Sequence, residues 1–349
     1  MNPFAQPETT QVWLETTCHA PITELTYLTR GWNTRIFSFV CRGQQLVLRV
    51  ASGPEQIYKE ALAAQRYGHG LPIPRVWAAG QEIEQDLEVE QMWHWAIVSR
   101  CEGQSLDMLS ALAQKSLEPA ILVLHLDLLA QPLFLRGAGS LNVIPPHAPI
   151  FGGWRASLSH LGGMASRLGG LLQAPIGFLP NELDALLARL QVQIGLCPEM
   201  PLWLIHGDFK PANIIVNHAG EIIVNHAGEI IVKHPKNSGP ISEPITGLID
   251  WAGLGQGDFL FDTATWIWHQ PEAQWASIWQ NWAPAYRALG LDLSHAPARL
   301  EAYLLFGALQ AGITLAGSPA LSAEIPLWRQ RLRFLQSASV TELFQLSSE

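Results

Sequence analysis

Two short strings constrain this chain more than the rest of it. One is His206-Gly207-Asp208-Phe209-Lys210-Pro211-Ala212-Asn213; the other is Gly247-Leu248-Ile249-Asp250-Trp251, whose acid lies 42 positions after Asp208. The first gathers an acid, a cation and an amide in one loop just before the apolar run Ile214-Ile215-Val216. A strand that anchors such a loop can aim Asp208 and Asn213 the same way. The second string sets another acid at the end of an apolar run. Together they suit transfer of a phosphoryl group from a nucleotide to a hydroxyl. That reaction needs metal on the phosphates, a carboxylate to orient the attacking hydroxyl, and positive charge along the path. Asp208 is the expected catalytic base and Lys210 the cation beside the γ-phosphate. Asn213 and Asp250 are the expected ligands of Mg²⁺, which prefers hard oxygens and only one or two carboxylates. A plain turn with a capping Asn accounts for fewer of these features together.

The N-terminal third adds a glycine turn, Gly31-Trp32-Asn33, between Thr26-Tyr27-Leu28 and Ile36-Phe37-Ser38-Phe39-Val40. This reads as strand, turn, strand, an arrangement that can drape over phosphates. Leu46-Val47-Leu48-Arg49-Val50 follows as a third strand, then a helical segment over Gln56–Tyr67 that carries Glu60. Leu71-Pro72-Ile73-Pro74 is a proline-fixed extended link. Trp95-Ala96-Ile97-Val98 reads as a buried strand, leading into Ser99-Arg100-Cys101-Glu102-Gly103.

These residues resemble the aminoglycoside phosphotransferase and choline kinase-like family, small-molecule kinases with the protein-kinase fold. The His206-Gly207-Asp208 string looks like the protein-kinase catalytic loop with Gly in place of Arg, and Ile249-Asp250-Trp251 matches the motif that replaces DFG in that family. Gly257-Asp258-Phe259-Leu260-Phe261-Asp262 resembles its G-D-x-x-x-D run. The resemblance spans about Thr26 to Trp268. It implies an α+β, two-lobed fold: an N-terminal extension over 1–20, a small lobe with an antiparallel sheet over 21–103, and a larger, mainly helical lobe over 104–349. It also implies ATP as donor, with GTP as the alternative, and Mg²⁺. Gly31 and Asn33 would cover the phosphates. Arg49 would stand where the family has a phosphate-pairing Lys, with Glu60 as its ion-pair partner. Backbone groups of the Ser99 and Cys101 hinge would hold the adenine. Asp258 and Asp262 would be structural, tying the catalytic loop to the next helix. The acceptor would be a hydroxyl on a small molecule of the aminoglycoside, choline or ethanolamine, homoserine or sugar type. Arg for Lys is a departure, because a planar fork and a point charge are not interchangeable. The rival reading is a pseudokinase or nucleotide-binding scaffold; retention of Asp208, Lys210, Asn213 and Asp250 favours an active enzyme. Protein kinase activity is disfavoured, since no APE-like segment follows Asp250.

At 349 residues, 48% of them apolar and 15% charged, the chain suits one two-lobed unit. A net charge of −9 argues against a nucleic-acid partner and leaves an acidic site hospitable to a cationic substrate. Cys18, Cys41, Cys101 and Cys197 are scattered, which points to a reducing compartment. The most apolar stretch, Ala120–Leu135, contains His125, Asp127, Gln131 and Pro132, so no membrane span is expected. The start lacks the pattern of a secretory signal. The expectation is a cytoplasmic enzyme, monomeric or homodimeric.

Helical spacing marks Leu183–Ile194, Ala298–Leu315 and Ile325–Leu335. Trp275, Trp279 and Trp282 share one helical face. That face reads as core packing, with an aromatic wall for a cationic substrate as the sharper alternative. The oddest feature is a repeat. Ile214–Glu221 reads IIVNHAGE, Ile222–Glu229 duplicates it, and Ile230–His234 begins a third copy. Residues 222–244 account for the long spacing between the two motif aspartates. The original hairpin is expected to persist, with the surplus protruding. His218, His226 and His234 recur every eight residues, and duplication explains that spacing without a metal.

Overall fold

The computed structural model describes residues 3–30, 34–84, 91–133, 138–140, 151, 153–160, 180–217, 221–224, 230–233, 244–317, 323–337 and 340–345. The turn Gly31-Trp32-Asn33 and the three repeat histidines lie outside these residues. The chain forms two compact units, one from the described parts of Met1–Gln131 and Pro211–Leu254, the other from those of Pro132–Ser140, Pro149–Lys210 and Gly255–Glu349.

The first unit is built on a five-stranded antiparallel sheet. Its strands are β1 (Ile22–Arg30), β2 (Thr34–Cys41), β3 (Gln44–Ala51), β4 (Val76–Glu84) and β5 (Gln91–Ser99), in the order β1-β2-β3-β5-β4. Alternation along β3 decides what each face carries, because successive side chains point to opposite faces. Leu46, Leu48 and Val50 join Phe37, Phe39, Trp93, Trp95 and Ile97 on one face. Helix α1 (Pro7–Cys18) covers that face through Leu14 and Trp13, with Phe4 beside them. Residues 1–20, expected as an extension, thus supply part of this core. On the other face Val47, Ala51, Ala96 and Val98 pack against Ile57 of α2 (Pro54–Tyr67). Arg49 falls in that register, between Val47 and Ala51, and therefore points toward α2.

The same unit holds α3 (Ala111–Leu129) and a small sheet of β6 (Gln104–Ser105), β9 (Ile214–Val216) and β12 (Ile245–Leu248). β9 is the first repeat copy. It pairs antiparallel with β12, Ile214 opposite Leu248, and with β6, Gln104 opposite Val216. The second and third copies form β10 (Glu221–Val224) and β11 (Ile230–Lys233), which pair with each other as a separate two-stranded sheet. The original hairpin therefore persists. An eight-residue period is even, so each copy presents the same alternation to any partner, and local pairing of copies two and three wins over displacement of copy one.

The second unit is mainly helical: α4 (Pro180–Leu196), α5 (Leu260–Trp268), α6 (Trp275–Ala288), α7 (Ala296–Gly317) and α8 (Ile325–Ser337). A small sheet, β7 (Gly139–Ser140), β13 (Gly255–Gly257) and β8 (Trp203–Ile205), leads into the catalytic loop. Trp275, Trp279 and Trp282 are all fully buried. Trp275 Nε1 donates to the Gln270 carbonyl, Trp279 Nε1 donates to that of Phe344, and the Trp282 ring stacks on Trp266. The aromatic face is core, not a substrate wall. No helix among the described residues is long and apolar enough to cross a membrane.

Because, among the described residues, β10 and β11 pair only with each other, removing Ile222–Lys233 is expected to leave the thermal midpoint within about 2 °C of wild type, the shift that ~1.5 kcal/mol causes in a chain of this size. Circular dichroism melting checks this; a drop of 10 °C or more would show that the surplus strands support the sheet.

Candidate active site

In the second unit, the loop after β8 is hung from one buried acid. The N–H groups of His206 and Gly207 donate to Asp262 Oδ2 and Oδ1 at 2.7 and 2.9 Å. Gly207 has φ +79°, the left-handed region where a side chain would be strained. The His206 ring is fully buried and its Nδ1 accepts the Asp208 N–H at 3.3 Å. That bond makes His206 a prop of the loop. Phe209 is buried between His206 and Trp266. What remains in contact with water is the pair the chemistry needs: Lys210 Nζ sits 2.7 Å from Asp208 Oδ2, with about a third of the Asp208 side chain exposed.

The acid that holds this loop is itself supported. Asp258, four residues before Asp262, accepts from Arg299 Nε at 2.6 Å and from Arg299 Nη2 and the Tyr303 hydroxyl. Arg299 and Tyr303 lie one turn apart on α7, and all three side chains are buried. Burial pushes the Asp262 carboxyl up to about 7 despite its two amide donors.

In the first unit a single guanidinium joins three elements. Arg49 on β3 donates through Nη1 to Glu60 Oε1 of α2 at 2.7 Å, and through Nη2 to Asp250 Oδ1 at 3.1 Å. Glu60 is 1% exposed; burial raises its carboxyl pKa, opposed by Arg49 and reinforced by Asp250. Asp250 keeps 39% of its side chain exposed. The β9–β12 ladder brings Asn213 next to this acid, since the Ile249 N–H donates to the Asn213 carbonyl at 2.9 Å. Residues 36 positions or more apart in sequence thus become neighbours through one pair of three- and four-residue strands. An amide oxygen beside a half-exposed carboxylate suits a hard divalent cation that takes its other ligands from phosphates and water. Among the described residues no cluster of three or more His, Cys, Asp or Glu offers an all-protein metal site.

The expected hinge is held from both sides. The Ser99 N–H donates to the Arg75 carbonyl and Ser99 Oγ accepts the Arg75 N–H, each at 2.8 Å. Cys101 packs on Gly247, where any Cβ would collide with its sulfur. Gly103 has φ +108° and lies so close to the Val216 carbonyl that a Cβ has no room. The structure thus brings together Arg49, Glu60 and Asp250, with Asn213 adjoining, and separately Asp208 with Lys210; Gly31 and Asn33 are outside the described residues. Sequence reasoning missed Lys59 and Arg299, both buried cations on helices. For Arg299 a signal existed: Arg299 and Tyr303 are spaced i, i+4 in a mostly apolar helix.

Comparison with known proteins agrees with this geometry. The sequence model of the phosphotransferase enzyme family matches residues 24–224. The chain belongs to that family. Its fold is that of the kinase-like aminoglycoside phosphotransferases. A variant of APH(4)-Ia solved with ADP and hygromycin B is 19% identical and superposes with a TM-score of 0.63 over 98% of this chain and 99% of that one. The GDP complex of an aminoglycoside 2′-phosphotransferase variant is 16% identical, TM-score 0.63, over 96% and 100%. Amicoumacin kinase hAmiN with AMP-PNP, Ca²⁺ and Ami is 12% identical, TM-score 0.56, over 94% of each chain. At these identities the likeness is one of fold. No curated protein matches the sequence.

Two expectations test the supports of this phosphotransferase. Arg49→Met leaves Glu60 buried without its cation and should cost about 3–5 kcal/mol in urea unfolding, while the double change with Glu60→Gln recovers much of the loss; equal losses in both variants would mean that Arg49 acts by packing alone. For Asp262, an acid raised from 3.8 to about 7 binds its proton more tightly folded than unfolded. Its contribution is full below about 4 and is lost as pH rises toward 7. The stability gap between wild type and the non-titrating Asp262→Asn should narrow from pH 4.5 to 7.5, and a gap that widens would reverse the assignment.

Proposed function

We propose that this chain transfers the γ-phosphoryl group of ATP, with Mg²⁺, to a hydroxyl of a small molecule. The observation that carries the reading is the triad of Arg49, Glu60 and Asp250 with Asn213 adjoining. A half-exposed carboxylate with an asparagine adjoining it in the chain fold suits a metal, and Arg49 keeps positive charge at the same carboxylate. Asp250 and Asn213 would hold Mg²⁺, which would neutralise charge that develops on the phosphates. Asp208 orients the acceptor hydroxyl and takes its proton, and Lys210, already 2.7 Å from Asp208, places positive charge by the transferred group. Glu60 keeps Arg49 in place.

Support for the nucleotide comes from the ADP, GDP and AMP-PNP complexes of the structural neighbours, which leave GTP as the alternative donor. Support for an amine-bearing acceptor comes from the net charge of −9 and from the neighbour solved with hygromycin B. Choline or ethanolamine, homoserine and sugars complete the set of acceptor classes.

The test is ADP release with Mg-ATP against a panel of aminoglycosides, amino alcohols, amino acids and sugars. Asp208→Asn is expected to abolish turnover, a loss of at least about 10²-fold for a proton acceptor, while keeping nucleotide affinity. Asp250→Asn is expected to weaken Mg-nucleotide binding. Full activity of Asp208→Asn would remove it from the role of base; tight Mg-ATP binding with no turnover on any acceptor would favour a nucleotide-binding scaffold.

A further inference from the structure

Two consecutive residues of α2 grip the turn that carries Asp250, and they do so in different ways. Glu60 reaches Asp250 indirectly, through Arg49 and the Asp250 carboxylate. Lys59 reaches it directly, its Nζ donating to the Ala252 carbonyl at 2.9 Å. Lys59 is 2% exposed and its other charged neighbour, Glu55, stands 3.9 Å away on the helix surface. Burying an ammonium costs free energy that an apolar side chain of the same length would not. Packing alone therefore gives no reason for a lysine here, and the carbonyl it holds does.

The turn needs holding. Asp250 adopts φ 64°, ψ 61°, a left-handed conformation that a non-glycine residue keeps only when its surroundings impose it. Downstream, Trp251–Gly253 form a single 3₁₀ turn, and the buried Trp251 donates through Nε1 to the Leu248 carbonyl at 2.9 Å. The arrangement is thus pinned before Asp250 by the Ile249–Asn213 bond and after it by Lys59. The two grips of α2 differ in what a metal does to them. A cation on Asp250 would share that carboxylate with Arg49. It would share nothing with Lys59, whose partner is a backbone carbonyl two residues on.

We propose that Lys59 is a positioning residue for metal-bound nucleotide: by tying the Ala252 carbonyl to α2 it keeps Asp250 in its left-handed conformation when that carboxylate is shared with a metal. The inference rests on the phosphotransferase reading of the site. Lys59 touches neither phosphate nor metal. Its effect passes through the turn.

The test is calorimetric, on the full chain, with ADP in the presence of Mg²⁺ and of EDTA. The quantity read is the ratio of the two affinities. Lys59→Met, one atom shorter and without the donor, is expected to reduce that ratio by about tenfold, the usual lower range for a group that orients a metal ligand. Metal-free ADP affinity should stay at the wild-type value. A general loss of structure would lower both affinities together and leave the ratio alone. An unchanged ratio in Lys59→Met therefore overturns the proposal. Should that variant fail to fold by circular dichroism, Lys59→Leu, likewise without a donor, is read in the same way with the same two outcomes. If Mg²⁺ has no effect on ADP binding to wild type, the phosphotransferase reading itself fails and takes this proposal with it. If wild type responds and the lysine variants respond equally, only the role of Lys59 is lost.

Discussion

One guanidinium holds the first unit's functional geometry together. Arg49 is fixed by strand register on the α2 face of β3, so its fork must find acceptors there, and it finds two. A buried cation is stable here because two of its nitrogens find carboxylate acceptors. The planar fork suits both contacts. One nitrogen reaches Glu60 and another reaches Asp250, a span that a single ammonium would have to cover from one point. Helix, strand and metal turn are thereby referred to one group, and displacement of any of the three is felt by the other two.

The catalytic loop follows a different plan. Its backbone, not its side chains, is what the structure grips. Asp262 takes two successive amides, and Asp258, Arg299 and Tyr303 fill the layer behind it. These supports are fully buried, whereas Asp208 and Lys210 keep about a third and a quarter of their side chains in water. A loop held by its backbone leaves this ion pair partly in water.

Much of this was legible in the residues. Apolar runs marked β2, β3 and β5, and 3.6-residue spacing marked α4, α7 and α8. The rest was hidden for specific reasons. Helical spacing put Trp275, Trp279 and Trp282 on one face, but periodicity says nothing of what a face meets; their full burial answers that. Lys59 looks like any solvated lysine on an amphipathic helix, because its partner is a backbone carbonyl 193 positions away that no side-chain pattern encodes. α1 reads as an extension because PETTQVWLETTC has few apolar positions, yet Leu14 and Trp13 suffice to seat it. The repeat posed a degenerate problem: three identical Ile-Ile-Val runs offer β12 the same edge, and only proximity to Asn213 singles out the first.

That repeat enters and leaves the fold at one point, where the Asn217 N–H donates to the Pro244 carbonyl at 2.9 Å. The bond closes a ring whose circumference is set by the number of copies inside it, while the residues at its neck stay put. Ring closure grows only logarithmically more costly with length, about 0.6 kcal/mol per doubling. Copy number at this neck is therefore close to a neutral variable. Replication slippage can lengthen or shorten the ring without moving Asn213 relative to Asp250, and surplus copies gain most when added in twos, each strand arriving with its own partner. The same neck is a natural splice point, a place where a self-pairing foreign segment could be carried at little expense to the chemistry beside it.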